Sequence, residues 1–160
     1  ARTGEADKRA AVDCFSRAAR DGHPAAETAY GIALRSGVGV AKDNALAEQN
    51  FRSAAGAGDG EAMIQLATMS DPDDARRWLT RAADAGYTPA MLALSDFLMT
   101  RDQVEALAWL YAAVTLAGDD AARKRAAALA KELTAREIDE DQKYGRGFVK
   151  DIKERANGPR

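Results

Sequence analysis

The side chains able to do chemistry in this sequence are few and far apart. His23 is the only histidine and stands in a turn before Pro24, where a helix cap or a solvated turn accounts for it. Cys14, the only cysteine, lies near the other end of the preceding helical stretch, without the base or cationic partner that a reactive thiol needs. Its place in a repeated pattern, set out below, predicts packing against the next helix. Asp71, Asp73 and Asp74 offer oxygens to a hard cation, but acids around Asp71-Pro72 also write a helix start, with negative charge at the positive end of the dipole. Asp119-Asp120 and Asp139-Glu140-Asp141 read the same way, as helix-start and solvated-face charges. Gly37-Val38-Gly39-Val40 lacks the strand, lysine and following helix of a phosphate loop. No nucleophile–base pair emerges, so the expectation is a protein without catalytic residues, metal or cofactor.

The elements that would position a binding surface are legible in repeats. Ala11, Ala47, Ala75 and Ala106 are each followed after three residues by Cys14, Asn50, Trp78 and Trp109. Phe15, Phe51, Leu79 and Leu110 come next, then Ala18-Ala19, Ala54-Ala55, Ala82-Ala83 and Ala113-Val114. A turn residue follows at Gly22, Gly58, Gly86 and Ala117, and a further alanine at Ala26, Ala62, Ala90 and Ala121. Alanines three and four apart make a flat stripe on which another helix packs closely, with Phe, Leu and Trp filling the space beside it. By this pattern Trp78 and Trp109 belong to the core. Glycine just past a helix fits a left-handed C-cap. His23-Pro24, Asp71-Pro72 and Thr88-Pro89 set a cap candidate before proline at the first helical position. Asp102 with Glu105, and Thr134 with Glu137, have capping-box spacing.

These signals predict an all-α chain: a right-handed α/α solenoid of about four helical hairpins plus an N-terminal helix. The helix runs from about Glu5 to Arg20, and the pairs run 24–35 with 43–57, 60–70 with 73–85, 88–100 with 102–117, and 119–133 with 135–155. The expectation is one domain over 1–160, with repeats near 24–58, 60–86 and 88–117 and a closing pair at 119–155. In the closing helix Ile138, Phe148, Val149 and Ile152 share one face, and Gly145-Arg146-Gly147 interrupts the pattern with a close contact, a kink or a local end. At 160 residues the chain is long enough to bury roughly 70% of its unfolded surface. Its 23 basic and 25 acidic residues are interspersed, which argues against nucleic acid and anionic membranes as partners, and no apolar run is long enough for a membrane span. The first residue is Ala, which suggests upstream processing or trimming.

Ala26, Tyr30-Gly31, Gly37-Val38-Gly39-Val40, Ala75, Trp78 and Ala82-Ala83-Asp84-Ala85-Gly86 together resemble the Sel-one-like repeat family, helical-hairpin solenoids related to the tetratricopeptide repeats. The resemblance covers about Ala11 to Val149, and Leu133 to Ile138 is similar to a common ending of bacterial members. Cys14 and Asn50 in place of the aromatic, and Ala67 and Ser95 in place of the small Gly, depart from the pattern. The resemblance implies an adaptor that recognises proteins, in bacterial export, envelope or signalling settings, with a slight lean to the periplasm or secretion.

In such a solenoid the first helix of each pair lines the concave side. If Tyr30, Leu66 and Leu94 point into the core, helical geometry turns Thr28, Ile32 and Arg35 toward the groove, then Ile64, Thr68 and Asp71, then Leu92, Asp96 and Met99. Arg123 and Ala127 continue the row. This mixture of apolar and polar side chains suits an extended peptide or a partner helix. The blander alternative is that Ile64 and Leu92 only finish the packing between repeats. A second reading of the whole is a structural or oligomerising subunit, self-associating through solenoid ends at Phe15 or Phe148.

Overall fold

The computed structural model describes residues 2–133 and Gly147. The predicted closing helix over 135–155, the Thr134–Glu137 capping box, the acids at 139–141 and the Gly145-Arg146-Gly147 interruption thus lie outside the described residues, Gly147 apart. Among the described residues there are helices and no strands: α1 (Arg2–Arg20), α2 (Pro24–Ser36), α3 (Asn44–Gly56), α4 (Gly60–Ala67), α5 (Pro72–Asp84), α6 (Thr88–Leu98), α7 (Gln103–Ala117) and α8 (Asp120–Ala130). The chain divides into two compact units, Ala1–Asp71 and Pro72–Arg160. In the first, α1 packs on α2, α2 on α3 and α3 on α4; in the second, α5 packs on α6, α6 on α7 and α7 on α8.

Three of the turns are built alike. After α1, His23 N–H donates to Ala18 O (3.1 Å) and Gly22 N–H to Ala19 O (3.0 Å), with Gly22 at φ 79. Asp59 and Gly58 repeat the pair of bonds onto Ala54 and Ala55, and Tyr87 and Gly86 repeat it onto Ala82 and Ala83. This is the Schellman arrangement, in which a left-handed residue satisfies two of the carbonyls a helix end leaves open. The turn after α7 is different: Gly118 at φ 65 donates a single bond to Val114 O (2.9 Å). That simpler cap adds one residue, so the turn column holds Gly118 rather than Ala117. The alanine after it is the fully buried Ala122, not the exposed Ala121.

Helix starts follow the sequence with exceptions. Asp43, Asp59, Asp102 and Asp119 each accept a backbone N–H from the residue three on, at 2.9, 2.8, 3.0 and 2.8 Å. Glu105 does not return the bond to Asp102; its carboxylate meets Arg76 at 2.6 Å and Trp109 Nε1 at 3.4 Å. His23 precedes α2 with extended backbone and no side-chain cap bond, and at α6 the cap position falls to Tyr87, because Thr88 is already helical. Helix α4 ends at Ala67, short of the predicted 70. The Thr68 and Ser70 hydroxyls take the carbonyls of Gln65 and Leu66, and Pro72 disfavours helical backbone at Asp71.

Inside each unit alanine dominates the buried positions, with Phe51, Met63 and Leu66 in one and Met91, Leu94, Leu107, Trp109 and Leu110 in the other. Helices α2 and α3 approach closely where a Cβ on Gly31 would lie 2.6 Å from Cε1 of the Phe51 ring. Gly31→Ala is expected to destabilise the chain by about 1–3 kcal/mol, since the buried ring cannot retreat without opening the core. Gly56, at the end of α3 with open space around it, gives the opposite sign: Gly56→Ala is expected to stabilise by about 0.5 kcal/mol. Urea denaturation of the two variants checks both.

Candidate partner-binding surface

Aligned on the turn glycines, the first helices α2, α4, α6 and α8 share positions counted from Ala26, Ala62, Ala90 and Ala122. Four residues on, Leu66, Leu94 and Ala126 are buried and Tyr30 is half-buried, as a core-facing column requires. Six residues on, Ile32, Thr68, Asp96 and Ala128 are all exposed. A helix turns about 200° between those two positions, so the exposed column stands away from the core face.

In the first unit, Arg35 Nη1 donates to Thr68 Oγ1 at 2.7 Å, joining the end of α2 to the end of α4. Thr68 passes its own proton to Gln65 O at 2.7 Å, which fixes the hydroxyl's lone pairs toward the guanidinium. Ile32 lies one turn before Arg35 on the same helix face and is 37% exposed, unusual for so large an apolar side chain among its buried neighbours. Ile64 is half-buried. Thr28 departs from the expected row. It is only 4% exposed and donates to Asp59 Oδ1 at 3.1 Å, so its hydroxyl holds the cap of α4 rather than facing solvent. Asp71 is exposed but stands past the end of α4, directly before Pro72.

In the second unit, Asp96 pairs with Arg125 of α8. Leu92 and Met99 are half-buried, Met99 one residue past the end of α6. Arg123 is exposed and pairs with Asp120 on its own helix, and Ala127 is exposed beside it. The arginine that reaches across to the first-helix column is therefore Arg125. It sits three residues after Ala122, as Gln65 does after Ala62, a position outside the expected row; the one-residue slip at Gly118 moves the place given to Arg123 onto Lys124. The sequence also gave no sign that Glu27, 9% exposed, would accept Ser53 Oγ at 2.7 Å and tie α2 to α3.

The other candidates are placed as follows. Cys14 is exposed rather than packed, and so is Phe15 beside it. Trp109 is 1% exposed and core, whereas Trp78 is half-buried with the Arg81 guanidinium 5.7 Å over its ring. Among the described residues no group of three or more His, Cys, Asp or Glu could hold a metal ion, and no helix is long and apolar enough to cross a membrane.

A sequence model of the Sel1 repeat matches residues 3–23, 24–59, 61–87 and 90–117, well over half of the chain. Among solved structures, a protective antigen present in uropathogenic Escherichia coli strains, displaying an SLR fold, aligns over 93% of the chain with TM-score 0.78 and 20% identity. A Sel1 repeat protein from Oxalobacter formigenes aligns over 95% with TM-score 0.68 and 25% identity. The chain spans 36% of the first protein's length and 65% of the second's. No curated protein sequence gives a significant match.

Because Thr28 is spent on Asp59, Thr28→Ala is expected to cost about 1 kcal/mol of stability. Asp59→Ala removes both that acceptor and the cap of α4 and is expected to cost about 2 kcal/mol. Thermal melts followed by circular dichroism measure the two losses.

Proposed function

The chain belongs to the Sel1 repeat family, and from that premise we propose that it is a protein-binding scaffold whose first-helix surfaces dock an extended peptide or a partner helix. Sel1 repeat proteins generally serve as non-catalytic protein–protein interaction modules and bind protein partners. The observation that carries the finer reading is the exposed column Ile32, Thr68, Asp96 and Ala128, which recurs in or at the end of α2, α4, α6 and α8, two residues after the core-facing positions Tyr30, Leu66, Leu94 and Ala126. In the first unit Ile32 supplies the apolar contact and Arg35, held in place by Thr68, supplies a charge-assisted donor for a partner carboxylate or carbonyl. In the second unit Leu92 and Met99 supply apolar area beside the Asp96–Arg125 pair. A partner acid competing for Arg125, or a partner base competing for Asp96, exchanges one exposed ion pair for another, which costs little because such a pair contributes only about 0–1 kcal/mol.

The test begins with a ligand selected from a peptide library against the full chain. Ile32→Asp together with Arg35→Glu is expected to weaken that ligand at least about tenfold, equal to about 1.4 kcal/mol, in a calorimetric titration. Thr28→Ala, which changes a buried bond, is expected to leave the affinity within about twofold at a temperature where the variant stays folded. Binding that survives Ile32→Asp with Arg35→Glu, and also survives Asp96→Lys with Ile64→Asp, removes the proposal.

A further inference from the structure

Among the described residues three large apolar side chains are exposed, and two of them, Ile32 and Val38, lie near the end of α2. Ile32 is 37% exposed, and Val38, two residues past the helix, is 45% exposed. The loop that carries Val38 is anchored on both sides. Val38 N–H donates to Ala33 O at 3.2 Å, and Asp43 N–H donates to Leu34 O at 3.0 Å. Between them, Gly39 lies so close to α1 that a Cβ there would meet the Lys8 carbonyl oxygen at 2.8 Å. The valine is thus presented to water by a loop tied to two helices. A ligand that covers it orders little backbone in doing so.

The charges at this helix end are independent of that exposure and point to the ligand's chemistry. Arg35 is half-buried one turn after Ile32. Lys42 is exposed, and its Cβ lies 3.5 Å from where a Cβ on Gly37 would stand, so its stem rests against the helix end. Neither cation takes part in an ion pair among the described residues. Arg35 spends Nη1 on the Thr68 hydroxyl, a neutral acceptor. Asp43, next to Lys42 in sequence, accepts Leu46 N–H as the cap of α3. The second unit differs, since Arg125 already holds Asp96.

We infer that the end of α2 selects an acidic, apolar segment of a partner protein, with one carboxylate on Arg35, a second acid toward Lys42, and large apolar side chains on Ile32 and Val38. This rests on the docking reading above and adds the chemistry that the first unit prefers. A guanidinium makes its strongest hydrogen bonds to a carboxylate, and its planar fork takes two at once when its orientation is fixed, as Thr68 fixes it here. Apolar contacts on Ile32 and Val38 exclude water and raise the penalty for leaving the arginine without a counter-charge. A neutral segment bears that penalty and an acidic one does not. The Asp96–Arg125 pair is already neutral and exerts no such preference.

The test takes the peptide selected against the full chain from a random library and compares it with its amide counterpart, every Asp changed to Asn and every Glu to Gln. Fluorescence anisotropy reads the ratio of the two affinities. The acidic peptide is expected to bind at least about tenfold tighter in dilute buffer, and the ratio to shrink as salt is added. Arg35→Gln with Lys42→Gln is expected to bring the ratio to about one, and Arg125→Gln to leave it unchanged. Because the ratio is taken within each variant, a general loss of stability does not move it. A ratio near one in the unmodified chain, or one that survives Arg35→Gln with Lys42→Gln, overturns the inference. If Ile32→Asp with Arg35→Glu still releases such a peptide, the docking reading stands without it. A library that yields no peptide, or one indifferent to every first-helix substitution, removes both.

Discussion

The architecture depends on how a second helix hands the chain to the next first helix. Two backbone carbonyls of an Ala-Ala pair receive N–H groups from two consecutive turn residues, the first of which must accept a left-handed conformation. Glycine takes that conformation at little steric cost, whereas an L side chain is strained in it. Because both bonds come from consecutive residues, the direction in which the chain leaves the helix is fixed within one turn. Gly22, Gly58 and Gly86 therefore set where α2, α4 and α6 begin, and so which of their side chains face inward.

Close packing then follows from the small residues. Gly31 admits the Phe51 ring, and Gly39, at φ 74, brings its loop against the Lys8 carbonyl, which a Cβ would meet at 2.8 Å. That contact ties the loop between α2 and α3 back to α1. Side-chain hydrogen bonds complete the frame at part-buried places: Thr28 to Asp59 and Ser53 to Glu27. Burial makes these bonds worth keeping, because a donor or acceptor stripped of both water and partner costs more than a bond contributes.

The helical framework was legible because its signals are local. The alanine columns, the turn glycines and Asp102 act within a few residues of their own position, and α2, α3, α5, α6 and α7 begin or end within about two residues of expectation. What escaped depends on distant partners or on small changes in turn chemistry. Thr28 looks solvent-facing by helical geometry and is buried because Asp59 meets it from 31 residues away. Arg123 entered the expected row because the turn after α7 was counted to Ala117; with Gly118 in the turn column, one extra residue rotates α8 by about 100° and moves that position to Lys124, while Arg125 reaches Asp96 from the next position along. Cys14 and Phe15 were expected to pack by column, but both are exposed, because column spacing places a side chain on a helix face and does not supply the neighbour that would cover it.

Among the described residues, more than half of the buried apolar side chains are alanines. A methyl group has no rotamers to lose on folding, so ordering this interior costs little side-chain entropy. It also withdraws little apolar area from water, and the heat capacity of unfolding scales with that area. The free energy of folding is thus expected to bend only gently with temperature, giving a shallow stability maximum and a resistance to cold that a leucine-rich core of equal length would not have.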